Sequence, residues 1–452
     1  MTDPKPAKRT LRAPPGTRDF YPADLLRRRY IEKAWRDTAI RHGFEEIDGP
    51  TFETAELYKV KSGEGILNEM FGVFSGKAED DLKQLRETGE APYALRPEFT
   101  PTLARMYAAR AAQLPKPCKW FWQQNCFRAE RQQRGRLREF AQWNCDIVGT
   151  ENEPEAQARA DADIINCVID SIAMLGISSE QALCKLSDRR IFAASMSDLG
   201  VPPDLLEAVA NLVDRRSKLT NEQFAWEAGA VGISKELAIS IEQTLSFVSS
   251  HHWHQIEREM FPDDSGERPV AFFNLLHSIE QAGRGAWCKF DAGVVRGLAY
   301  YTGMVFEVLA EGERAIAGGG RYDNLIELFG GPPTPAVGFG MGDVVLSLLL
   351  TDKGLMPEGK DLLDALSRPA ASFRPDVFVI SNGKEESDAA VRPLVARLRR
   401  GTESEGWLTR EGRKPWDADR YVGEAHRSES GATQSPAPTI AAPPLHARHS
   451  YK

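Results

Sequence analysis

Residues 120–126 and 140–148 both read as strands, and the segment between them carries Arg128, Arg131, Arg134, Arg136 and Arg138. That segment has dense charge and Gly135, but no apolar stripe for a crossover helix. The chain therefore turns back as a hairpin and the two strands pair antiparallel. Strand-like sequence returns at 287–291 and 304–309. Between the two sets, about 188–261 reads as helix throughout, broken at Gly200, Pro202 and Pro203. Strands, a helical insertion and strands again predict an α+β fold with a mainly antiparallel sheet, not a doubly wound parallel one.

Further helices are expected over 22–42, closed by Gly43, and over 150–175. In the second, Thr150 and Glu153 have capping-box spacing and Gly176 ends the apolar stripe. Residues 44–52 alternate as a strand broken at Gly49-Pro50, whereas 54–91 are polar and glycine-containing, hence loop. Residues 1–15 read as a basic, proline-rich disordered leader. After a linker over 351–374, a new unit begins: 376–381 as a buried strand and 385–400 as an amphipathic helix. Past Gly401 the pattern fails, and 431–444, rich in Ala, Ser, Thr and Pro, reads as disordered.

The net charge of −8 gives no bulk attraction for nucleic acid, so any such contact needs a local patch such as 127–138. The six cysteines lack C-x-x-C spacing and read as reduced thiols of a cytosolic protein. The longest apolar run, 344–350, is too short to span a bilayer, so no membrane partner is expected.

Several constellations carry chemistry. Arg128, on the strand side of the hairpin, can grip a phosphate bidentately, and the loop arginines can meet a mobile polyanion. The alternative is a solvated turn paired with Glu130 and Glu139. In Leu95-Arg96-Pro97-Glu98-Phe99-Thr100, Glu98 can hold an ammonium with Thr100 beside it, while Thr100-Pro101 also suits a helix start. Gln142 and Asp146 fall on one strand face, which lines a pocket or faces water from an edge. Gly318, Gly319 and Gly320, ahead of Arg321, fit neither Walker nor Rossmann spacing. Glycines in a strand let a flat ligand approach the backbone, or else mark a tight turn. His251, His252 and His254 lack i, i+4 spacing and an acidic partner, so they read as surface or packing residues and no metal site is expected.

Taken together, these segments resemble the histidyl-tRNA synthetases, a class II family, over roughly 14–350. Gly16-Thr17-Arg18-Asp19 matches that family's N-terminal signature. Residues 43–53, with Pro50, resemble motif 1, the homodimer interface of the class, and 127–146 resemble motif 2. Arg296-Gly297-Leu298-Ala299-Tyr300-Tyr301-Thr302-Gly303 and residues 318–323 resemble two histidine-specific segments. The resemblance implies a class II antiparallel catalytic domain over 16–350 and a partial C-terminal α/β anticodon-binding domain over 375–452. It implies a cytoplasmic, homodimeric histidine–tRNA ligase that uses ATP and Mg2+ to make histidyl-adenylate from L-histidine, then charges tRNA(His).

The same resemblance assigns residues. Glu98 and Thr100 would contact the histidine ammonium. Gln142, Asp146, Tyr300 and Tyr301 would line the histidine pocket, Tyr301 reading the imidazole. Arg128 and Arg296 would be the catalytic pair, touching the ATP α-phosphate from two sides and the histidine between them. Gly318, Gly319, Gly320 and Arg321 would border ATP, and Arg131 and Gln133 would meet the tRNA acceptor end.

Three departures stand out. Val345 occupies the place of the motif 3 arginine that grips the ATP γ-phosphate, with Arg321 or another arginine as its substitute. Ala299 replaces an acidic residue before the two tyrosines. The C-terminal domain shows only its first β-α step, as a truncated or misread gene would give, with 446–452 as a fragment of a later strand. A non-catalytic relative with the same catalytic fold, the histidine-binding regulatory subunit of ATP phosphoribosyltransferase, is the second reading.

Overall fold

The computed structural model describes residues 11–62, 64–216, 219–261, 269–295, 301–373, 377–400 and 439–441. Its centre is an eight-stranded sheet. The strands run in the order Glu45–Glu46, Cys118–Phe127, Glu139–Val148, Ala336–Gly342, Ala317–Arg321, Met304–Ala310, Ala182–Asp188 and Cys288–Phe290. Only the two outermost pairings of this sheet are parallel. The hairpin pairs from Cys118 opposite Val148 to Phe127 opposite Glu139.

The strand period of two decides which side is core. Ala141, Trp143, Cys145 and Ile147 point into one hydrophobic layer with Val337, Phe339 and Met341 of the neighbouring strand. Helices Pro22–Arg41, Pro154–Met174, Val270–Gln281 and Asp343–Asp352 cover that face. Ile164, Ile165, Val168, Ile169 and Ile172 form the buried stripe of the second helix, each side chain contributing about 2 kcal/mol over exposure. Trp35 stacks on Trp143 at 6.0 Å. Gln142, Asn144 and Asp146 point to the other face, which the covering helices leave for the site.

The helical insertion comprises Arg189–Asp198, Leu206–Asp214, Asn221–Ala230, Lys235–Ser250 and Trp253–Met260. It has its own core, with Phe192, Met196, Val209, Phe224 and Ile241.

Local expectations are corrected at several points. The helix expected from 150 starts at Pro154, with Glu153 extended and no side-chain cap. Proline lacks an N–H and suits the first helical turn, so it sets the start in place of Thr150. Residues 54–91 are not simply loop: they hold helices Ala55–Ser62 and Glu79–Thr88 and the strand Gly72–Val73, which joins the flanking Phe52–Thr54 and Tyr93–Leu95 in a small sheet. Glu79–Thr88 buries no residue, so it gave no apolar period to read. The strand Ala182–Asp188 was not expected either. The stretch 351–374 carries helix Gly359–Ser367, which seats Leu362 and Ala365 in the main core.

Helix Glu385–Arg400 forms with the expected bounds. The strand before it, Phe378–Ile380, is less buried than expected, with Ile380 at 53% exposure. It pairs with Thr439–Ala441, which falls inside the segment expected to be disordered. The remainder of 401–452 and residues 1–10 lie outside the described residues. All six cysteines are free, five of them buried. No described helix is long and apolar enough to cross a membrane.

Candidate active site

Arg128 is held in place by the segment that precedes Glu98. Arg96 is buried, and its Nε donates to the Asn125 carbonyl at 2.8 Å. Its Nη1 donates to the carbonyls of Gly49 and Pro50, both at 3.2 Å, and the guanidinium lies 4.7 Å over the Trp122 ring. The Arg96 carbonyl accepts from Phe127 N at 2.9 Å. Pro97 is thereby fixed beside the hairpin, and its carbonyl accepts from Arg128 Nε at 3.1 Å. The Phe140 ring supports the Arg128 guanidinium at 5.2 Å. Among the described residues no carboxylate is ion-paired with Arg128, so its terminal N–H groups are available to an anion.

The N-terminal signature braces the same hairpin. The Gly16 carbonyl accepts from Arg138 N and Glu139 N, at 2.8 and 3.2 Å. Gly16 has φ +84°, and a Cβ there would lie 2.8 Å from Arg138 Cγ, so only glycine fits. Arg18 Nη2 donates to Asp343 Oδ2 at 2.7 Å, and Asp343 Oδ1 accepts from Ala141 N at 2.9 Å.

A buried polar cluster lies farther along this second sheet face, beside a smaller core that includes Phe99, Trp122 and Tyr322. Asp146 is 2% exposed. Tyr322 Oη donates to its Oδ1, whereas its Oδ2 is buried with no hydrogen-bond partner among the described residues. Burial pushes the Asp146 carboxyl up to about 7, against the pull of the Tyr322 hydrogen bond and of Lys61, and with a further push from Glu98. Lys61, on helix Ala55–Ser62, donates to Glu98 Oε2 at 2.5 Å. Thr100 is buried at the start of helix Thr100–Ala108; its expected role as cap falls instead to Phe99, whose ring stacks on Trp122 at 4.3 Å.

The pocket floor is bare backbone. Gly320 pairs with Gly338 and Gly318 with Gly340 across adjacent strands. A Cβ on Gly338 would lie 2.0 Å from Asp146 Oδ1, one on Gly340 3.0 Å from Gln142 Nε2, and one on Gly320 2.9 Å from the Tyr301 ring. Glycine at these positions lets three polar side chains lie flat against the sheet and leaves room for a planar ligand. Gly319 falls on the opposite strand face, where a Cβ would meet the Gly338 carbonyl at 2.2 Å.

The sequence profile of the family described as Histidyl-tRNA synthetase matches residues 16–342. The chain belongs to the histidyl-tRNA synthetase family. It is 38% identical over 393 residues to a histidine–tRNA ligase of Opitutus terrae, covering 86% of this chain and 83% of that one. It is also 38% identical over 347 residues to the chloroplastic/mitochondrial histidine–tRNA ligase of Arabidopsis thaliana, covering 76% and 67%. Among solved structures, the histidyl-tRNA synthetase of Nostoc sp. superposes with TM-score 0.59 at 19% identity, covering 93% and 90%. A Bacillus halodurans protein described as an ATP phosphoribosyltransferase regulatory subunit/histidyl-tRNA synthetase gives TM-score 0.62 at 21% identity, covering 79% and 86%. These structures share the fold. The activity class is that of an aminoacyl-tRNA synthetase, histidine–tRNA ligase.

Within the synthetase frame, the structure brings Glu98, Asp146 and Tyr301 near one another, with Gln142 on the same sheet face beside Gly340 and Arg128 beside Pro97 at the start of the hairpin loop. Arg296 and Tyr300 lie outside the described residues. Arg321 is a correction. It is 2% exposed and points to the helix face, where Nη2 donates to Asp161 Oδ1 at 2.5 Å and Nη1 to Asp323 Oδ1 at 3.1 Å. The strand period explains this: Gly320 and Tyr322 face the pocket, so Arg321 cannot. Its ion pairs hold the turn that presents Tyr322 to Asp146, and it is not free to replace the missing motif 3 arginine.

Val345 is buried in the core under the hairpin tip. A Cβ on Gly135 would lie 3.2 Å from Val345 Cγ2 and 3.4 Å from Arg314 Cδ, so Val345 and Arg314 both border the hairpin tip. Arg314 is exposed and donates to Gln133 Oε1 at 2.6 Å. Arg134 and Arg136 are bound to Glu313, Asp352 and Glu130, whereas Arg131 is exposed. Lys61, Asn144, Gly338, Gly340 and Arg314 were absent from the sequence-based site. Gly338 and Gly340 had a readable signal, alternation of glycine in an apolar strand; Lys61 and Arg314 had none.

Proposed function

We propose that this chain activates L-histidine with ATP and charges tRNA(His) on the pocket around Asp146. The observation that carries the reading is the buried Asp146 carboxylate, which has one oxygen unfilled and faces the Glu98 side of a glycine floor. An imidazole N–H fits that oxygen. Glu98 already accepts an ammonium from Lys61, and the histidine α-ammonium takes that place, with Gln142, Thr100 and Tyr301 as further contacts.

The histidine carboxylate attacks the α-phosphorus of ATP in line, forming histidyl-adenylate and releasing pyrophosphate. The nucleophile is already an anion, so the step needs positioning and charge neutralisation more than a base. Arg128 supplies a preset guanidinium for the α-phosphate, and Arg296 is assigned the opposite side. A hydroxyl of the terminal ribose of tRNA then attacks the carbonyl carbon of the mixed anhydride, forming the ester and expelling AMP, which carries away the hydroxyl proton, with Arg131 and Gln133 at the acceptor end. Glu307 pairs with Gly318 across the sheet, and its carboxylate is the oxygen donor type that Mg2+ takes. Magnesium, when bound, supplies charge neutralisation at the phosphates. Residues 16–350 are assigned to this chemistry, and the C-terminal strand–helix step to a partial anticodon-binding unit. A cytoplasmic homodimer built on the Glu45–Glu46 edge goes with the same reading.

Histidine-dependent ATP–pyrophosphate exchange is the test. Exchange above the no-histidine control supports the reading, and its absence in protein that still binds histidine transfers the assignment to a regulatory histidine sensor. Arg314 is assigned the γ-phosphate in place of the motif 3 arginine. Arg314→Ala is expected to raise the KM for ATP about 10-fold with little change in the KM for histidine, the cost of one charge-assisted contact. An unchanged ATP KM refutes that assignment.

A further inference from the structure

His252, His254, His277 and Glu280 converge on the surface of the molecule, on segments separated in sequence. His252 and His254 flank the start of helix Trp253–Met260, and His277 and Glu280 stand one turn apart on helix Val270–Gln281. The acidic partner that local sequence lacked is thus supplied by another helix.

His254 Nε2 lies 3.4 Å from Glu280 Oε2, and His252 Nε2 lies 3.8 Å from Glu280 Oε1. One ligand atom each from His254, His277 and Glu280 fall within 4.8 Å of one another. Ligands about 2.0–2.2 Å from a tetrahedral zinc ion stand roughly 3.3–3.6 Å apart, so small side-chain rotations close the set.

A buried residue organises the cluster. Trp253 is 7% exposed, and its Nε1 donates to Glu280 Oε1 at 3.0 Å. Its ring stacks on His254 at 3.6 Å and meets His277 edge-on at 4.6 Å. An outer partner that orients a ligating carboxylate is the usual support of a metal site. His251 is turned away, with Nδ1 at 2.7 Å from the Phe247 carbonyl.

We propose that His254, His277 and Glu280, with His252 as fourth donor, form a site for a borderline divalent transition-metal ion such as Zn2+. Imidazole nitrogen with one carboxylate suits this class better than Mg2+ or Ca2+, which take oxygen sets. The bound ion clips the helix that closes the insertion to the helix that leads back to the sheet. The site lies outside the adenylation pocket, so its role is structural.

The experiment uses untagged full-length protein stripped with EDTA and titrated with ZnCl2 against a chromophoric chelator. The expected result is one Zn2+ per chain with micromolar or tighter affinity and a thermal midpoint raised by about 3–6 °C at saturation. His254→Ala combined with His277→Ala is expected to weaken binding at least about 100-fold, and Glu280→Gln about 10- to 100-fold. Both variants should match wild type in pyrophosphate exchange, and neither should gain thermal midpoint when ZnCl2 is added. If the double variant does not fold, Glu280→Gln alone decides. No saturable binding below about 100 µM, or equal binding in the variants, overturns the site.

Discussion

Arg128→Ala is expected to lower histidine-dependent pyrophosphate exchange by about 100- to 1000-fold, the range seen when one preset donor to a developing charge is removed. The effect is large because Arg128 is fixed before substrate arrives. The Pro97 carbonyl takes its Nε and the Phe140 ring supports its plane. Arg128→Lys keeps the charge but loses the planar fork, so it is expected to recover less than one-tenth of the lost rate. Stability should change little, because the side chain contributes one hydrogen bond, about 1 kcal/mol, and one ring contact. Steady-state exchange beside a thermal melt separates the two effects. Activity within threefold of wild type in Arg128→Ala would remove Arg128 from the phosphate site.

Asp146→Asn is expected to lower kcat/KM for histidine by about 100- to 1000-fold, because a site built to hydrogen-bond its substrate discriminates strongly through those bonds. Asparagine keeps the shape but loses the charge and offers a donor where an acceptor is needed. In wild type, kcat/KM for histidine should fall as pH drops through about 7, where Asp146 takes up its proton. That limb should be missing in Asp146→Asn.

Stability should move the other way. The folded-state pKa of Asp146, about 7, lies above the ordinary carboxyl value of 3.8. Between those values the folded protein holds a proton that the unfolded chain releases, so stability falls as pH rises from about 4 to 7. Wild type therefore carries the full penalty of the buried charge above pH 7. Asp146→Asn is expected to be more stable by about 1–3 kcal/mol at pH 8, with the gain fading as pH falls towards 4. Denaturant melts at pH 8 and pH 5 read this directly. A variant less stable than wild type at pH 8 would contradict the account of the buried carboxylate.

Much of the site was legible in sequence where spacing alone carried the geometry. Gln142 and Asp146 are four apart on a strand and fall on one face by period. Gly318, Gly319 and Gly320 read as a close approach for a flat ligand, whereas strand parity turns Gly319 to the opposite face. Arg321 shows the limit: the family resemblance placed it at ATP, yet strand parity turned it towards Asp161. That partner lies on a helix 160 residues distant in sequence. Lys61 sits in a polar stretch with no distinguishing pattern, and only the fold sets it against Glu98. The histidine cluster failed as a sequence signal because its carboxylate comes from Glu280, beyond the reach of any local spacing rule.

The sequence by itself determined the antiparallel hairpin and the helical insertion, because periodicity and turn chemistry act over short distances along the chain. Only the tertiary structure decided which polar groups end up without a partner. Burial left Asp146 Oδ2 unfilled, gave Glu98 a lysine, paired Arg321 internally and set Arg314 beside the hairpin tip. Those outcomes depend on packing between segments far apart in the chain, and no local pattern encodes them.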